Sequence, residues 1–340
     1  MAKLTVVDVT LRDGNHTVRQ QFYPELISKV AAALDAAGVA IIEVGHGDGS
    51  GGSSIHVGRT AAPADQLIKA VVSSIKKARA AVFLIPGFGT VDDLQQAYDL
   101  GVTVARLACH CTEADITEQH IQLARKLNML AVGYLISFGM APPKRIAEEA
   151  KKMESYGANY INLADSQGYL VPHQVKEYVH AVLDATNIPV GFHAHNNLGC
   201  SIGNSLAAVE AGAIYVDGSL KGFGGGAGNA QTETLVAALK RGGFPTDVDL
   251  FGILGAADVL EHELTKKPAL ANVPMPVVDN DSILMGYACV YGGYIKPIKR
   301  AAQEYGCDPR KLVLRLGERQ VVATQEDVVI EEARRLVGKA

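Results

Sequence analysis

Short apolar runs of strand length alternate with longer stretches of helical periodicity along most of the chain. The short runs are rich in β-branched residues and apolar at nearly every position, which is typical of parallel strands buried on both faces. Strands are predicted at residues 3–11, 40–46, 80–85, 102–109, 130–137, 159–165, 188–195 and 214–220. Helices are predicted at residues 24–37, 64–78, 91–99, 116–127, 142–156, 172–186, 199–211 and 229–241.

Eight β/α units within about 240 residues match the count and size of a (β/α)8 TIM barrel. A doubly wound open sheet is the main alternative, because alternation alone does not distinguish a closed barrel from a sheet with two free edges. Beyond residue 244 the pattern predicts helices without strands, at 249–265, 281–304, 309–318 and 325–338. We therefore predict a TIM-barrel catalytic domain at 1–265 and a C-terminal helical extension at 266–340, the candidate partner-contact domain.

Composition and charge argue against several classes of partner. Of the 340 residues, 48% are hydrophobic and 20% are charged, and the formal net charge is −4. Lysine and arginine nowhere gather into a long block, so we expect neither nucleic acid nor a membrane surface as a partner. No run of about 18 apolar residues occurs, and the N-terminal MAKLTVVDV enters a predicted strand without a charged leader and cleavage site. The expected location is the cytoplasm.

The five cysteines give little sign of a metal or disulfide framework. Cys109 and Cys111 flank a histidine, but this triplet alone is a weak metal signal, and no CxxC spacing is present. Buried, reduced thiols are the favoured interpretation.

Polar side chains collect where the predicted strands end, which is where TIM barrels place their chemistry. These residues are Asp13, Glu43, His46, His110, Asp165, Ser166, His193 and His195.

The HAH triplet at 193–195 is the most informative of these groups. Residues two apart on a strand point to the same side, so both imidazoles face one point in the barrel mouth. A single histidine there is as well explained as a core residue, but two on one face favour a metal site. Asp13 is a third ligand within reach only if the barrel closes and brings strands 7, 8 and 1 together.

Such a ligand set leaves several positions of an octahedral divalent ion open, which suits Mn²⁺, Mg²⁺, Co²⁺ or Fe²⁺ better than a structural zinc site. Open positions admit a bidentate 2-oxo acid, whose keto oxygen the ion would polarise towards an enolate.

Two glycine-rich segments have competing interpretations. GDGSGG at 47–52 satisfies the G-x-G-x-x-G pattern, but the next predicted helix starts about a dozen residues later, unlike a dinucleotide site. We interpret it as a glycine-rich loop or a mobile lid. GFGGGAGNA at 222–230 runs into a predicted helix and is either an anion site or a tight turn. No G-x-S-x-G elbow or P-loop is present, so serine hydrolase and phosphate-transfer functions lose their main support.

The motifs TLRDGNH, ADSQG, HAHNNLG and GFGGGAGNA occur together in this chain. With them, the sequence resembles the superfamily of 3-hydroxy-3-methylglutaryl-CoA lyase-like TIM barrels. Within that superfamily it is most similar to the 4-hydroxy-2-oxovalerate aldolase family, metal-dependent pyruvate aldolases of aromatic meta-cleavage pathways. The similarity covers nearly the full length and includes EVGHGDGSGGSS, HCTEAD and GYACVY.

The resemblance implies a role for each residue of the site. Arg12 stabilises the transition state and His16 is the catalytic base. The implied metal ligands are Asp13, His193 and His195, with Mn²⁺ as the first choice and Mg²⁺ or Co²⁺ as alternatives. Substrate contacts are implied for Arg12, Asp13, Leu84, Ser166, His193 and Tyr291, with Leu84 lining the aldehyde pocket.

The implied reaction is retro-aldol cleavage of 4-hydroxy-2-oxopentanoate, or a close homologue, to pyruvate and acetaldehyde or a longer aldehyde. After Tyr291 the chain reads GGY, where family members usually carry two serines and a phenylalanine, so aldehyde preference is left open. The resemblance also implies an oligomer and an acylating acetaldehyde dehydrogenase partner that contacts residues 281–338.

The sequence features argue against two other functions. An acyl-CoA lyase or Claisen-type acyltransferase of the same superfamily is disfavoured, because the lyase carries a cysteine in its final glycine-rich loop and GFGGGAGNA has none. A noncatalytic assembly subunit would have no use for the intact set of Arg12, Asp13, His16, His193 and His195.

Overall fold

Eight parallel strands form a closed barrel in the computed structural model, which describes residues 3–55, 57–322 and 325–338. The outer ends of both predicted domains therefore lie outside the described residues. The strands are β1 (Thr5–Asp8), β2 (Ile41–Glu43), β3 (Arg79–Leu84), β4 (Val104–His110), β5 (Leu130–Ile136), β6 (Tyr160–Asp165), β7 (Val190–Ala194) and β8 (Tyr215–Gly218). Because β1 pairs with β8 from Thr5–Tyr215 to Asp8–Gly218, the TIM barrel is confirmed and the open sheet is excluded.

A helix follows each strand and covers the outer face of the barrel. These helices are α1 (Pro24–Ala36), α2 (Ala64–Val72), α3 (Val91–Asp99), α4 (Glu118–Lys126), α5 (Pro143–Tyr156), α6 (Pro172–Ala185), α7 (Ser201–Glu210) and α8 (Thr232–Arg241). In α1, Leu26, Val30 and Leu34 are buried on one face, as their spacing requires. The proline at the first helical position and Gly38, with φ of +88°, mark its two ends.

The barrel interior is layered. Its lower part is apolar and includes Val7, Ile41, Val104, Val132 and Tyr160. Above it lie charged side chains from the same inward-facing positions of β2, β4 and β8, namely Glu43, Arg106 and Asp217, all buried. Side chains of the types that bind metal ions lie above this charged layer, at the carboxyl ends of the strands.

The C-terminal helices are α9 (Leu250–Thr265), α10 (Pro268–Ala271), α11 (Asn280–Tyr287), α12 (Ile295–Tyr305), α13 (Pro309–Glu318) and α14 (Glu326–Leu336). Helix α9 packs on α1 and α8 and belongs to the barrel. The last four helices contribute to a second hydrophobic core that includes Met285, Ile298, Leu312, Leu316 and Val329. The domain boundary at residue 265 stays a prediction. Among the described residues, no helix is long and apolar enough to cross a membrane.

The prediction of one helix over 281–304 was wrong, because the chain breaks there into α11 and α12. Cys289 adopts φ of +56°, and a single 3₁₀ turn at Gly292–Tyr294 separates the two helices. An L residue at positive φ ends a helix, and no composition rule marks a cysteine for that conformation. The break sets Tyr291 between the two helices rather than on a helix face.

Candidate metal centre and active site

Asp13, His193 and His195 converge at the carboxyl end of the barrel. Asp13 lies in a 3₁₀ turn (Asp13–His16) after β1, His193 lies on β7, and His195 follows that strand directly. The Nε2 atoms of His193 and His195 lie 3.6 and 3.7 Å from Oδ2 of Asp13. One ligand atom from each residue lies within 4.8 Å of the others, so the three residues form a candidate site for a metal ion.

The electrostatics of this site favour the protonation states that a metal requires. Burial acts to raise the pKa of Asp13, but Arg12 and the surrounding histidines outweigh it and hold that pKa below its usual range. Burial lowers the pKa of His195 to about 4. Asp13 is therefore a carboxylate and His195 a neutral imidazole at neutral pH, and both have lone pairs free for a cation.

Asn229 is a member of the site that sequence reasoning missed. Its Nδ2 donates to Oδ2 of Asp13 at 2.6 Å and to the carbonyl of Phe223 at 3.0 Å. Its Oδ1 is buried and has no hydrogen-bond partner among the described residues. A buried, unsatisfied amide oxygen beside three metal-type ligands fits a cation site. The sequence signal was the asparagine at the second-to-last position of the GFGGGAGNA segment, which forms a turn that brings this side chain to Asp13.

The guanidinium of Arg12 is held beside Asp13 by several polar contacts. Its Nε donates to Oε2 of Glu43 at 2.8 Å, and its Nη1 lies 3.1 Å from both the Gly47 carbonyl oxygen and Oδ1 of Asp13. The guanidinium also lies 4.3 Å from the centre of the Phe83 ring. Burial acts to lower the pKa of Arg12, but Glu43 and Asp13 outweigh this effect and hold the pKa above its usual value. The side chain is therefore a fixed positive charge.

His16 faces the same centre from the more open side. Its Nε2 lies 3.9 Å from Oδ1 of Asp13 and 3.8 Å from Oδ1 of Asp48. Its Nδ1 lies 3.2 Å from Nε2 of Gln20, whose Oε1 accepts the Gly47 N–H at 2.8 Å. Gln20, which sequence reasoning also missed, therefore joins the His16 ring to the GDGSGG loop. Since α2 begins only at Ala64, this loop does not lead into a helix as a dinucleotide site requires.

Leu84, Ser166 and Tyr291 lie around the same barrel end. Leu84 ends β3 and is buried. Ser166 follows β6, and its Oγ accepts the N–H of Ser137 at 3.0 Å. Burial raises the pKa of the Tyr291 phenol well above its usual range, and the carboxylates of Asp48 and Asp13 raise it further. The phenol is therefore neutral and within electrostatic reach of the metal-type cluster.

Other polar residues at strand ends have their side chains committed elsewhere. His46 binds the Gly58 carbonyl oxygen at 3.0 Å and accepts the Asp48 N–H at 3.0 Å, so it shapes the loop. His110 contacts Thr112 at 2.9 Å. The Asp165 carboxylate accepts two N–H groups of the loop after β6. All five cysteines are free, and Cys109 and Cys111 are buried as predicted, but Cys200, Cys289 and Cys307 are only partly buried.

Comparison with known proteins agrees with this geometry. The HMGL-like family matches residues 3–260, and the DmpG-like communication domain matches residues 276–338. The chain is 48% identical over 334 residues to 4-hydroxy-2-oxovalerate aldolase of Moorella thermoacetica, which covers 98% of this chain and 97% of the relative. It is 46% identical over 334 residues to the enzyme of the same name from Carboxydothermus hydrogenoformans, with the same coverage.

Among solved structures, the carboxyl transferase domain of Rhizobium etli pyruvate carboxylase with pyruvate superimposes with a TM-score of 0.79 at 19% identity. The match covers 100% of this chain and 61% of that one. At this identity the likeness shows the barrel fold alone.

Proposed function

The chain belongs to the 4-hydroxy-2-oxovalerate aldolase family of HMGL-like carbon–carbon lyases, and from this premise we propose how its site residues divide the retro-aldol reaction. The substrate proposed is 4-hydroxy-2-oxopentanoate, and the products are pyruvate and acetaldehyde. The observation that carries the proposal is the packing of Arg12 and His16 around one carboxylate, Asp13, that also faces two histidines.

Asp13, His193 and His195 are the proposed ligands of a resident Mn²⁺ ion, with Asn229 beside them. Hard oxygen donors mixed with imidazole suit Mn²⁺, Mg²⁺ or Co²⁺, and three protein side chains leave room for a bidentate substrate. When bound, the ion supplies Lewis-acid polarisation of the keto group and stabilises the enolate.

His16 is the proposed base. It takes the proton of the 4-hydroxyl group, the C4 oxygen forms the aldehyde carbonyl, and the C3–C4 bond breaks with its electron pair passing to the C2–C3 enolate. Arg12, held by Glu43, Asp13 and the Gly47 carbonyl oxygen, faces the developing negative charge without having to reorganise. Protonation of the enolate at C3, balanced by release of the proton that His16 took from the 4-hydroxyl group, then gives pyruvate.

The neutral His16 ring has to carry its hydrogen on Nδ1 for Nε2 to act as that base. Because Oε1 of Gln20 accepts the Gly47 N–H, the amide presents its N–H to Nδ1 and favours the opposite tautomer. Rotation of the Gln20 amide, with loss of the Gly47 contact, accommodates the reactive tautomer. The loop and the base are therefore linked through one side chain.

Ser166 is the proposed contact for the substrate carboxylate end, and Leu84 and Tyr291 are proposed to line the aldehyde end. Leu84 is apolar and buried, and Tyr291 carries a neutral phenol, so together they suit a short aldehyde chain with one polar oxygen.

A test against the alternative acyl-CoA lyase function uses two substrates on the same preparation. With Mn²⁺ present, we expect pyruvate from 4-hydroxy-2-oxopentanoate and no acetyl-CoA from 3-hydroxy-3-methylglutaryl-CoA. Release of acetyl-CoA without pyruvate formation would reverse the assignment.

Residues 276–338 are the proposed docking region for an acylating acetaldehyde dehydrogenase, which would receive the aldehyde. Apolar side chains are exposed in this region, including Val277, Ile283 and Tyr287, the last with 70% of its surface exposed. On co-expression with such a dehydrogenase, we expect co-purification that Tyr287→Glu weakens. The matched control is Phe251→Glu on α9, which is 81% exposed outside this region and should leave co-purification intact. Equal weakening by both variants would contradict the proposed surface.

A further inference from the structure

Arg106 is a fully buried charge inside the barrel, below the metal-type cluster. It lies on β4 with no exposed surface, and the Tyr134 ring covers its guanidinium with a centroid distance of 4.7 Å. A lone charge at this depth would be very costly, so it requires partners of opposite charge. Two carboxylates supply them.

The two partners of Arg106 each contact a different residue of the proposed active site. On one side, Nη1 of Arg106 lies 3.3 Å from Oε2 of Glu43, and the same Oε2 accepts from Nε of Arg12 at 2.8 Å. On the other side, Nη2 of Arg106 pairs with Oδ2 of Asp217.

Oδ2 of Asp217 also lies 3.0 Å from Nδ1 of His193. Five side chains from β4, β2, β8, β7 and the turn after β1 therefore form one connected buried network, Arg12–Glu43–Arg106–Asp217–His193.

The Asp217 arm fixes the metal-facing nitrogen of His193. Asp217 is the ion-pair partner of the fully buried guanidinium of Arg106, and as that carboxylate it lies 3.0 Å from Nδ1 of His193. A carboxylate accepts and does not donate, so the hydrogen of His193 lies on Nδ1 and the lone pair of Nε2 faces Asp13, 3.6 Å away. A second partner of this kind orients a ligating histidine and strengthens metal binding.

The Glu43 arm fixes the position of Arg12, the residue proposed to stabilise the enolate. Glu43 accepts from Nε of Arg12, whose Nη1 lies against Asp13 and the Gly47 carbonyl oxygen. Glu43 is itself held in a dry interior because Arg106 compensates its charge. Without Arg106, the carboxylates of Glu43 and Asp217 would lie close together with less positive charge between them.

The cost of the network argues that it does more than fill the barrel. Apolar residues of similar volume stabilise an interior at least as well as buried ion pairs do. In the described part of the chain, Oε1 of Glu43, Nε and Nη1 of Arg106 and Oδ1 of Asp217 lack hydrogen-bond partners, so Nη1 of Arg106 meets Glu43 only as an ion pair. A side chain placed here only for packing would avoid such unsatisfied groups.

We propose that Arg106 is a positioning residue that sets His193 for metal binding through Asp217 and Arg12 for enolate stabilisation through Glu43. The inference rests on the proposed function: its catalytic arm on the proposed reaction, and its metal arm on the proposed ligand set. Its metal arm concerns the geometry of His193 and is measured without turnover.

The test compares Asp217→Asn, Glu43→Gln and Arg106→Lys. A lysine keeps the positive charge of residue 106, but its single ammonium cannot span both carboxylates in the way a guanidinium does. The matched control is Glu149→Gln, because Glu149 is an equally buried carboxylate paired with Arg145 and Lys152 outside the barrel interior. Each metal-free protein is measured for Tm, for Mn²⁺ affinity by titration calorimetry, and for the ¹⁵N shifts of His193. The metal-loaded proteins are measured for kcat and KM.

Asp217→Asn should weaken Mn²⁺ binding by about 10- to 100-fold and move the His193 hydrogen off Nδ1 in part of the population. Glu43→Gln should leave Mn²⁺ affinity within about threefold and lower kcat by about 10²-fold, in the range of a lost electrostatic contact. Arg106→Lys should show both effects. Glu149→Gln should lower Tm while leaving Mn²⁺ affinity, the ¹⁵N shifts and kcat unchanged.

Two results would overturn the inference. Retention of Mn²⁺ affinity and kcat by Arg106→Lys would remove the role of Arg106. If Mn²⁺ affinity followed Tm across all four variants, the network would be merely structural. Should Arg106→Lys not fold, the opposite signatures of Asp217→Asn and Glu43→Gln still decide the question. If wild-type protein binds Mn²⁺ but releases no pyruvate, the proposed function fails while the metal arm stands or falls on its own data.

Discussion

A Cβ atom added to Gly47 would lie 2.5 Å from Nε2 of His16, so the imidazole occupies its place only because residue 47 has no side chain. The same glycine offers its carbonyl oxygen to Arg12 and its N–H to Gln20. The GDGSGG loop, predicted from the sequence to be a glycine-rich loop or a mobile lid, therefore holds the proposed base in position. Its first glycine bonds to Arg12 and Gln20 and packs against His16.

Gly47→Ala should displace the His16 ring, because a side-chain ring yields more easily than the backbone of a packed loop. We expect kcat to fall by about 10- to 100-fold, part of the 10²- to 10⁴-fold that a placed base contributes. Mn²⁺ affinity, measured by titration calorimetry, should stay unchanged because Asp13 and the two histidines are untouched. Gly255→Ala on α9 is the control, since its added Cβ would meet nothing within 4 Å. Wild-type kcat in Gly47→Ala would show that His16 is not held by this contact.

His16→Ala tests the proposed base itself. Removing the imidazole should lower kcat for pyruvate release by about 10²- to 10⁴-fold while Mn²⁺ affinity changes little, because His16 is not one of the three ligands. Steady-state pyruvate assays and metal titration on the same sample measure the two effects separately. Full activity in this variant would refute the assignment.

Gly293 sets the position of Tyr291 in the same way. An added Cβ at residue 293 would lie 2.6 Å from a ring carbon of Tyr291, so Gly293→Ser should move the ring that we propose lines the aldehyde end of the site. We expect the ratio of kcat/KM for the five-carbon substrate to that for its six-carbon homologue to change by at least about threefold, within the range that one methylene contact gives.

The neighbouring Gly292→Ala provides the control, because its added Cβ would make an ordinary contact at 3.7 Å. An unchanged ratio in Gly293→Ser, or an equal change in both variants, would show that the position of Tyr291 does not determine the aldehyde preference.

Asp8 should make folding stability depend on pH. It is the last residue of β1 and is fully buried, with hydrogen bonds from Thr10 and from Thr232 of α8. These bonds act to lower its pKa, but burial outweighs them and raises the pKa to about 6. Between pH 3.8 and about 6 the folded state therefore holds more protons than the unfolded state, and the contribution of Asp8 to stability falls as pH rises.

Asp8→Asn removes this titration, so the unfolding free energy of the variant relative to wild type should increase by up to about 3 kcal/mol between pH 3.5 and 7.5. Urea unfolding of both proteins across this range measures the difference. The exposed Asp258→Asn should track wild type at every pH. A pH-independent difference for Asp8→Asn would mean that Asp8 titrates normally in the folded protein.

The sequence predicted the eight β/α units because buried parallel strands leave a local signature, an apolar run between two helices. Their number favoured a barrel, but closure through the pairing of β1 with β8 has no local signature. The HAH triplet predicted a shared metal face from strand geometry alone. Asn229 and Gln20 were missed because each acts through a contact between distant segments, such as the 2.6 Å bond from Asn229 to Asp13. Arg106 and Asp217 looked like single polar residues in apolar strands, and only closure of the barrel makes them partners. The prediction of one helix over 281–304 was wrong because the chain leaves the helical conformation at Cys289. Nothing in the residue type of a cysteine predicts its positive φ.

The central claim is that a divalent ion at Asp13, His193 and His195 makes this barrel a pyruvate-releasing aldolase. The most direct test removes metal by chelation, then follows pyruvate release from 4-hydroxy-2-oxopentanoate before and after Mn²⁺ is added back, with His195→Ala in parallel. We predict no pyruvate from the metal-free protein, full recovery with Mn²⁺ for wild type, and little recovery for His195→Ala. Equal pyruvate release with and without the chelator would contradict the account.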